Sequence, residues 1–138
     1  MSREEITISE MARSKIESHA LQCAPNECCG LLGGRGDKIA STYPLANVAE
    51  KPCTRYFAAP EALFKAMRQI REAGEEMLGI YHSHPRSPAF PSRVDVEMAF
   101  YPDAIYFIIS LLNPMELRAF TIEDEVFNEI EISIINNL

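Results

Sequence analysis

The sequence has little positive charge: 13 lysines and arginines stand against 20 aspartates and glutamates, which gives a formal net charge of -7. Nucleic acids and anionic membrane surfaces both attract clusters of basic residues, so we expect neither as a partner. The sequence also lacks an apolar run long enough to span a bilayer. The first ten residues, MSREEITISE, are acidic and have no apolar centre, so we expect no secretory signal and a cytoplasmic protein.

There is little cysteine, and its spacing fits no common framework. The four residues are Cys23, Cys28, Cys29 and Cys53, which do not form the paired motif of a zinc knuckle. Because cytoplasmic thiols stay reduced, we expect all four to be free. Cys28 and Cys29 lie in an apolar segment, and we interpret them as small buried side chains of a strand and not as reactive thiols.

The 138 residues are 47% hydrophobic, which is enough for an ordinary core. No repeat, low-complexity tract or linker divides them, so we predict a single domain over residues 1–138. Apolar periodicity predicts helices that begin after Ser9 and at Pro60, and a shorter helix from Ser92 to about Phe100. Strands are predicted at 6–8, 27–34, 38–45, 76–83, 104–111, 116–122 and 126–132, with a further extended segment at 54–59.

This order of elements predicts an α/β fold, in which helices pack against one mixed sheet. The last three strands are short and separated by turns, NP at 113–114 and EDE at 123–125. They are therefore predicted to form an antiparallel meander with alternating polar and apolar residues.

Two of the three histidines occur together in the segment GIYHSHPRSPAFPSRVDVEMAF, residues 79–100. Alternate residues of a strand point to the same side, so His82 and His84 share a face, about 6.6 Å apart along the chain, with Ser83 turned away. Two imidazoles in that arrangement can bind one metal ion. They lie at the end of a strand, where sites in α/β folds tend to open. His19 is alone on the first helix, and we expect it to be structural.

A catalytic zinc site uses three protein ligands and leaves one position for water. Asp95 is the best candidate for the third ligand. Prolines at 85, 88 and 91 restrict the intervening loop, so the helix that starts at Ser92 can direct Asp95 back to the histidines. Ser92 and Asp95 are also spaced as a helix-capping pair, and a single strand histidine is more often packed or solvated than a ligand. Only the combination predicts a metal site.

Hydrolysis at such a site needs a group that carries a proton to the leaving amine. Glu27 is the candidate by elimination, because it begins an apolar strand directly after Pro25 and Asn26. That is an unusual place for a carboxylate unless it faces a cavity. An acid in solvent at the end of a strand explains the local sequence equally well.

Taken together, these residues resemble the signature of the JAMM (MPN-plus) metalloproteases. The signature is His82-Ser-His84, seven residues, Ser92, two residues and Asp95, with Glu27 upstream in NECCGLLGG. The resemblance extends over nearly the whole chain, and none of the five functional positions departs from it. It implies a deaminase-like α/β domain with a curved mixed β-sheet flanked by helices.

The resemblance also implies a role for each of these residues. His82, His84 and Asp95 would be the metal ligands for one Zn²⁺ per chain, with water in the fourth position. Glu27 would act as general base and then pass the proton to the leaving nitrogen. Ser92 would donate a hydrogen bond to the oxyanion, and Ser83 would support the site from behind.

The chain is short and is similar to the compact prokaryotic members of that family. This similarity implies a zinc-dependent enzyme that cleaves a peptide or isopeptide bond after the C-terminal Gly-Gly of a ubiquitin-like or sulfur-carrier protein. The tail is expected to lie extended beside the edge of the sheet. The leaving group, cysteine or a conjugated lysine, stays open, as does the oligomeric state, with a homodimer among the options.

Three other functions fit the sequence less well. Relatives without the metal residues act as non-catalytic scaffolds, but here the motif is intact. A zinc deaminase requires H-x-E and P-C-x-x-C, whereas this chain has H-S-H and a lone PCT at 52–54. A metal store would normally close its site with four protein ligands, and only three convincing ones are present.

Overall fold

The computed structural model describes residues 4–136, which form a mixed α/β fold. The α-helices of this part of the chain are α1 (Glu10–Cys23), α2 (Pro60–Glu72) and α3 (Arg93–Glu97). The strands are β1 (Glu5–Ser9), β2 (Cys29–Arg35), β3 (Lys38–Leu45), β4 (Glu76–His84), β5 (Ile105–Ser110), β6 (Glu116–Glu123) and β7 (Val126–Ile135).

The strands join in the order β1-β3-β2-β4-β5-β6-β7, and the sheet closes into a barrel. The closure is a parallel pairing of β1 with β7, in which Ile6 lies opposite Ile132. β4 lies between β2, which is antiparallel to it, and β5, which is parallel. The predicted mixed sheet is thus confirmed, and its curvature is carried to full closure.

Each face of the sheet buries an apolar core. One core includes the buried side of α1, and the other includes α2. β5 serves both cores, because Ile105, Phe107 and Ile109 face the first and Tyr106 and Ile108 face the second. β5 is therefore apolar on both sides, and the predicted polar alternation is wrong for this strand. The predicted antiparallel pairing of β5, β6 and β7 is confirmed.

β2 and β4 approach each other closely near the C-terminal end of β4, where Gly30 lies opposite Tyr81. A Cβ at Gly30 of β2 would overlap the ring of Tyr81, so only glycine fits there. The Tyr81 hydroxyl lies 2.6 Å from Nδ1 of His19 on α1, which agrees with a structural role for that histidine. Cys28 and Cys29 are buried as predicted, and burial raises their pKa values to about 11 and about 12. All four cysteines are free, which confirms the expected thiol state.

Two predicted elements differ in extent. The segment predicted as extended at 54–59 is not part of the sheet but lies in the loop before α2, where the N–H of Phe57 donates to the Asn47 side chain. α3 ends at Glu97 and not near Phe100, with Met98 as its C-cap. Pro102 disfavours helical backbone at Tyr101, the residue immediately before it. None of the helices within residues 4–136 has the length and apolarity that a membrane span needs.

Candidate metal centre

The C-terminal end of β4 brings two imidazole side chains together. His82 and His84 occupy alternate positions of the strand and point to the same side, and both are buried. Their Nε2 atoms are 3.2 Å apart. The predicted convergence of these two side chains is therefore present in the fold.

Asp95 completes a group of three. Its Oδ2 atom lies 2.9 Å from Nε2 of His84 and 3.1 Å from Nε2 of His82, and its side chain is buried. Ligand atoms about 2.0–2.1 Å from a tetrahedral zinc ion lie about 3.3 Å from one another. The three spacings are close to that value, so the donor atoms are already arranged as on one face of a tetrahedron.

The start of α3 fixes the carboxylate of Asp95. Ser92 is the N-cap, and its hydroxyl oxygen accepts the N–H of Asp95 at 3.1 Å. In return, the N–H of Ser92 donates to Oδ2 of Asp95 at 2.9 Å. This reciprocal capping box holds the same oxygen that faces the histidines. Asp95 can therefore take part in the helix cap and also serve as a metal ligand, while Ser92 is the cap that positions it.

The hydrogen bonds of His84 indicate that a cation belongs between these groups. Its Nδ1 atom lies 2.8 Å from the carbonyl oxygen of Pro88, which can only accept, so Nδ1 carries a proton. In a neutral ring Nε2 is then bare, and it would face the Asp95 oxygen at 2.9 Å with two lone pairs opposed. A proton or a metal ion removes this repulsion, so the donor set fits a metal.

His84 and Asp95 shift each other's pKa values. Burial acts to lower the pKa of His84, but the hydrogen bonds to Asp95 and Pro88 outweigh it and raise the pKa. Burial acts to raise the pKa of Asp95, but the two histidines and the N–H of Ser92 hold it far below its usual range. Asp95 is therefore an anionic carboxylate at neutral pH, as a metal ligand must be.

Glu27 lies on the same pocket as His84 and Ser92, an opening of about 250 Å³. The residue is only 5% exposed, and its Oε1 atom has no hydrogen-bond partner among the described residues. Burial raises its pKa to about 7, while His84 acts to lower it and Asp95 to raise it. The alternative in which Glu27 is an acid in solvent is therefore wrong, because the carboxyl group is buried beside the histidine.

The backbone around Glu27 is held by two polar side chains. The N–H of Cys28 donates to the hydroxyl oxygen of Ser83 at 2.8 Å, which joins this segment to β4. Nδ2 of Asn47 donates to the carbonyl oxygens of Glu27 and Arg55, each at 3.0 Å. These bonds fix the segment that carries Glu27 relative to the strand that carries the histidines.

Asn47 and Tyr56 are two residues of the centre that the sequence motif does not include. Oδ1 of Asn47 accepts the N–H groups of Ala49 and Phe57, so one side chain organises the loop between β3 and α2. Tyr56 stacks on His82 with ring centroids 4.5 Å apart and planes 26° apart. A polar residue at the end of a strand and a lone aromatic in a loop have no periodicity, and so no sequence signal pointed to them.

An apolar cleft lies along β2, and Tyr56, the residue that stacks on His82, forms part of its wall. It has a volume of about 130 Å³ and is lined mostly by apolar side chains, among them Leu45, Phe57, Met98 and Phe100. Phe57, Met98 and Phe100 are exposed. The centre is thus bordered by a polar pocket on the Glu27 side and by an apolar cleft on the Tyr56 side.

The chain is similar to a family model, to curated relatives and to a solved structure. The family model described as prokaryotic homologs of the JAB domain matches residues 9–123. The desampylase of Haloferax volcanii is 33% identical over 140 residues, which cover 97% of this chain and 99% of that protein. The CysO-cysteine peptidase of Mycobacterium tuberculosis is 34% identical over 122 residues, or 86% and 83% of the two chains. A solution structure of a Desulfitobacterium hafniense protein has 37% identity and a TM-score of 0.86, with 96% and 94% coverage.

The fold, the buried His-His-Asp group and these matches define a hydrolase of the JAMM type, a family that depends on a metal. The chain belongs to the prokaryotic JAB-domain family, in its compact JAMM (MPN-plus) branch. It is accordingly a JAMM-type peptidase, and the scaffold alternative is set aside. His82, His84 and Asp95 form a group that can bind the metal on which the family depends.

Proposed function

We propose that this enzyme uses Zn²⁺ to hydrolyse the amide bond that follows the C-terminal Gly-Gly of a ubiquitin-like or sulfur-carrier protein. The single observation that carries the proposal is the convergence of three donor atoms, two imidazole nitrogens and one carboxylate oxygen, within 4.8 Å of one another and beside the buried Glu27. The proposed ligands are His82, His84 and Asp95.

The choice of zinc follows from the chemistry of the donors. Two neutral imidazoles and one carboxylate are a set that catalytic zinc sites use, and three protein ligands leave a fourth position for water. Bound there, zinc would supply Lewis acidity, which lowers the pKa of a coordinated water and polarises a carbonyl group. Proton transfer and stabilisation of the oxyanion would then be carried out by side chains of the protein.

Glu27 is proposed as the group that moves the proton. Its carboxylate would take a proton from the attacking water as a new bond forms between the water oxygen and the carbonyl carbon of the last glycine. It would then give that proton to the nitrogen as the C–N bond breaks, so the products are a carrier carboxylate and a free amine. In the metal-free protein burial raises the pKa of this carboxyl to about 7, near the range in which one group can both accept and donate a proton at neutral pH.

Ser92 is proposed to stabilise the oxyanion. Its oxygen already accepts the N–H of Asp95, but its own proton is not used in that bond. The hydroxyl group lines the pocket shared with Glu27 and His84, so its O–H can donate to an oxygen that develops negative charge there. Ser92 would thus serve both as helix cap and as donor.

The proposed substrate rests on the relatives and on the shape of the site. The relatives include proteins named CysO-cysteine peptidase and Probable TtuB-protein conjugate cleaving protease, and these names support a carrier-protein conjugate as the substrate. A tail of two glycines has no side chains and can pass close to the backbone. The cleft beside Tyr56 offers such a tail an apolar wall on the way to the metal centre.

The direct test is an incubation of the zinc-loaded enzyme with CysO, TtuB and ubiquitin, each made with a short extension after its terminal Gly-Gly, and read by mass spectrometry. We expect at least one carrier to lose only the residues beyond Gly-Gly. The Glu27→Gln variant is the matched control and should leave the same carrier intact. Cleavage at other positions, or intact carriers throughout, would contradict the proposal.

A further inference from the structure

One cation faces the pocket that holds Glu27. Of the residues that line it, only Arg86 carries a fixed positive charge, and the other side chains there are mostly polar, Cys53, Thr54 and Ser87 among them. Arg86 forms no ion pair or side-chain hydrogen bond with any residue between 4 and 136, although the chain has an excess of acids. Arg86 is thus an exposed cation without a partner in the described part of the chain, on the pocket that also contains the proposed base.

The backbone around Arg86 is firmly held. Pro85 fixes one dihedral angle immediately before it. After it, the carbonyl oxygen of Ser87 accepts the hydroxyl proton of Ser110 at 2.7 Å, and that of Pro88 lies 2.8 Å from Nδ1 of His84. The backbone at Arg86 is therefore fixed relative to a proposed metal ligand, and the exposed side chain starts from that fixed point on the wall of the pocket.

The position of Glu27 shows which part of a substrate this pocket would receive. Glu27 must reach the leaving nitrogen, so the group attached to that nitrogen would occupy the pocket that Glu27 shares with Arg86. When the leaving group is an amino acid, its carboxylate is only two bonds from the nitrogen. When it is a lysine of a conjugated protein, an uncharged aliphatic chain takes that place.

The pocket has room for the smaller leaving group. The pocket of about 250 Å³ is smaller than the ~300–1,000 Å³ pockets that accept drug-sized ligands. A single amino acid fits such a volume. Arginine is also the side chain best suited to a carboxylate, because its planar fork can donate two parallel hydrogen bonds.

We propose that Arg86 binds the α-carboxylate of the residue released, so that the enzyme prefers a carrier extended by a free amino acid over a carrier conjugated to lysine. This inference rests on the proposed function, since it concerns the leaving group of that reaction. It assigns to Arg86 the specificity that the motif residues do not provide.

The test uses one carrier protein that is extended after its Gly-Gly by a single alanine. Two forms of this substrate are compared: in one the alanine ends in a carboxylate, and in the other it ends in a carboxamide. The wild-type enzyme should have a higher kcat/KM for the acid, and Arg86→Gln should reduce that value by about tenfold while the amide changes little. Arg93→Gln is the matched control, because Arg93 is exposed, pairs with Glu97 and lies on the other side of Ser92. It should leave both rates as in the wild type.

Binding gives a second readout that does not depend on turnover. In the Glu27→Gln background, the acid form should bind more tightly than the amide, and adding Arg86→Gln should abolish the difference. Equal preference for the acid in the wild type and in Arg86→Gln would overturn the role of Arg86 while leaving the hydrolase intact. Failure of the wild type to cleave either form would overturn both proposals.

Discussion

The hydroxyl oxygen of Ser83 accepts a hydrogen bond from the backbone N–H of Cys28 at 2.8 Å, and the N–H of Ser83 donates to the carbonyl oxygen of Cys28 at 3.2 Å. This reciprocal pair joins the strand that carries both histidines to the residue that follows Glu27. Ser83 itself faces away from the metal centre. The distance between the proposed base and the proposed ligands is therefore set by a side chain on the opposite face of β4.

Replacing Ser83 with alanine should weaken this connection. The buried N–H of Cys28 would lose its side-chain partner, so the free energy of unfolding should fall by about 1–3 kcal/mol. Turnover should fall as well, because Glu27 is held less firmly, whereas the bound metal should stay. Urea denaturation, kcat and metal analysis measure the three effects. Ser133→Ala, at an exposed position of β7, is the control, and equal stability of the two variants would refute the role of Ser83.

The pKa of Glu27 predicts a pH dependence of stability in the metal-free protein. Burial raises this pKa from 4.5 to about 7, so the folded state binds the proton more tightly than the unfolded state does. The resulting stabilisation is complete below pH 4.5 and is lost as the pH rises through 7, a change of about 3 kcal/mol. Glu27→Gln should lack this slope. Denaturation curves of the two proteins between pH 4 and 8 test it, and parallel curves would show that the carboxyl group is not buried.

Tyr56 should support metal binding through its stack on His82. Tyr56→Ala removes the ring that covers the imidazole, and loss of such support typically costs about tenfold or more in metal affinity. Tyr56→Phe keeps the ring and should bind metal as the wild type does. Competition with a chromogenic chelator gives both dissociation constants. Equal affinity of the alanine and phenylalanine variants would mean that the stack does not position His82.

Ser92 can be tested so that its two roles separate. Ser92→Ala removes both the cap and the hydroxyl donor, whereas glycine costs only a few tenths of a kcal/mol as an N-cap. If Ser92 stabilises the oxyanion, Ser92→Gly should retain its metal and its stability yet lose about 10²–10³ in kcat. If Ser92→Gly turns over at the wild-type rate, the residue is a helix cap only.

The arrangement of His82, His84 and Asp95 could be predicted because it depends on local rules. Strand alternation places the two histidines on one face, and a capped helix after a proline-rich loop directs the carboxylate. The closure of the barrel could not be predicted in this way. It depends on the pairing of β1 with β7, two segments separated by almost the entire chain, and neither sequence specifies its partner.

Asn47 and Tyr56 were missed for a related reason. Each acts through a contact between a loop and a distant element, and neither belongs to a periodic pattern or to the metal motif. The local sequence is consistent with either a buried or a solvated carboxylate at Glu27, because the burial of this residue depends on the loop that Asn47 organises. Local sequence thus predicts the donors of the site, whereas tertiary packing decides how the site is enclosed.

The central claim is that His82, His84 and Asp95 bind one zinc ion. The most direct test is anomalous diffraction at the zinc edge from crystals of the zinc-reconstituted enzyme. We predict one peak per chain, about 2.0–2.1 Å from Nε2 of His82, Nε2 of His84 and a carboxylate oxygen of Asp95. A peak elsewhere, or no peak at this site in fully reconstituted protein, would contradict the account.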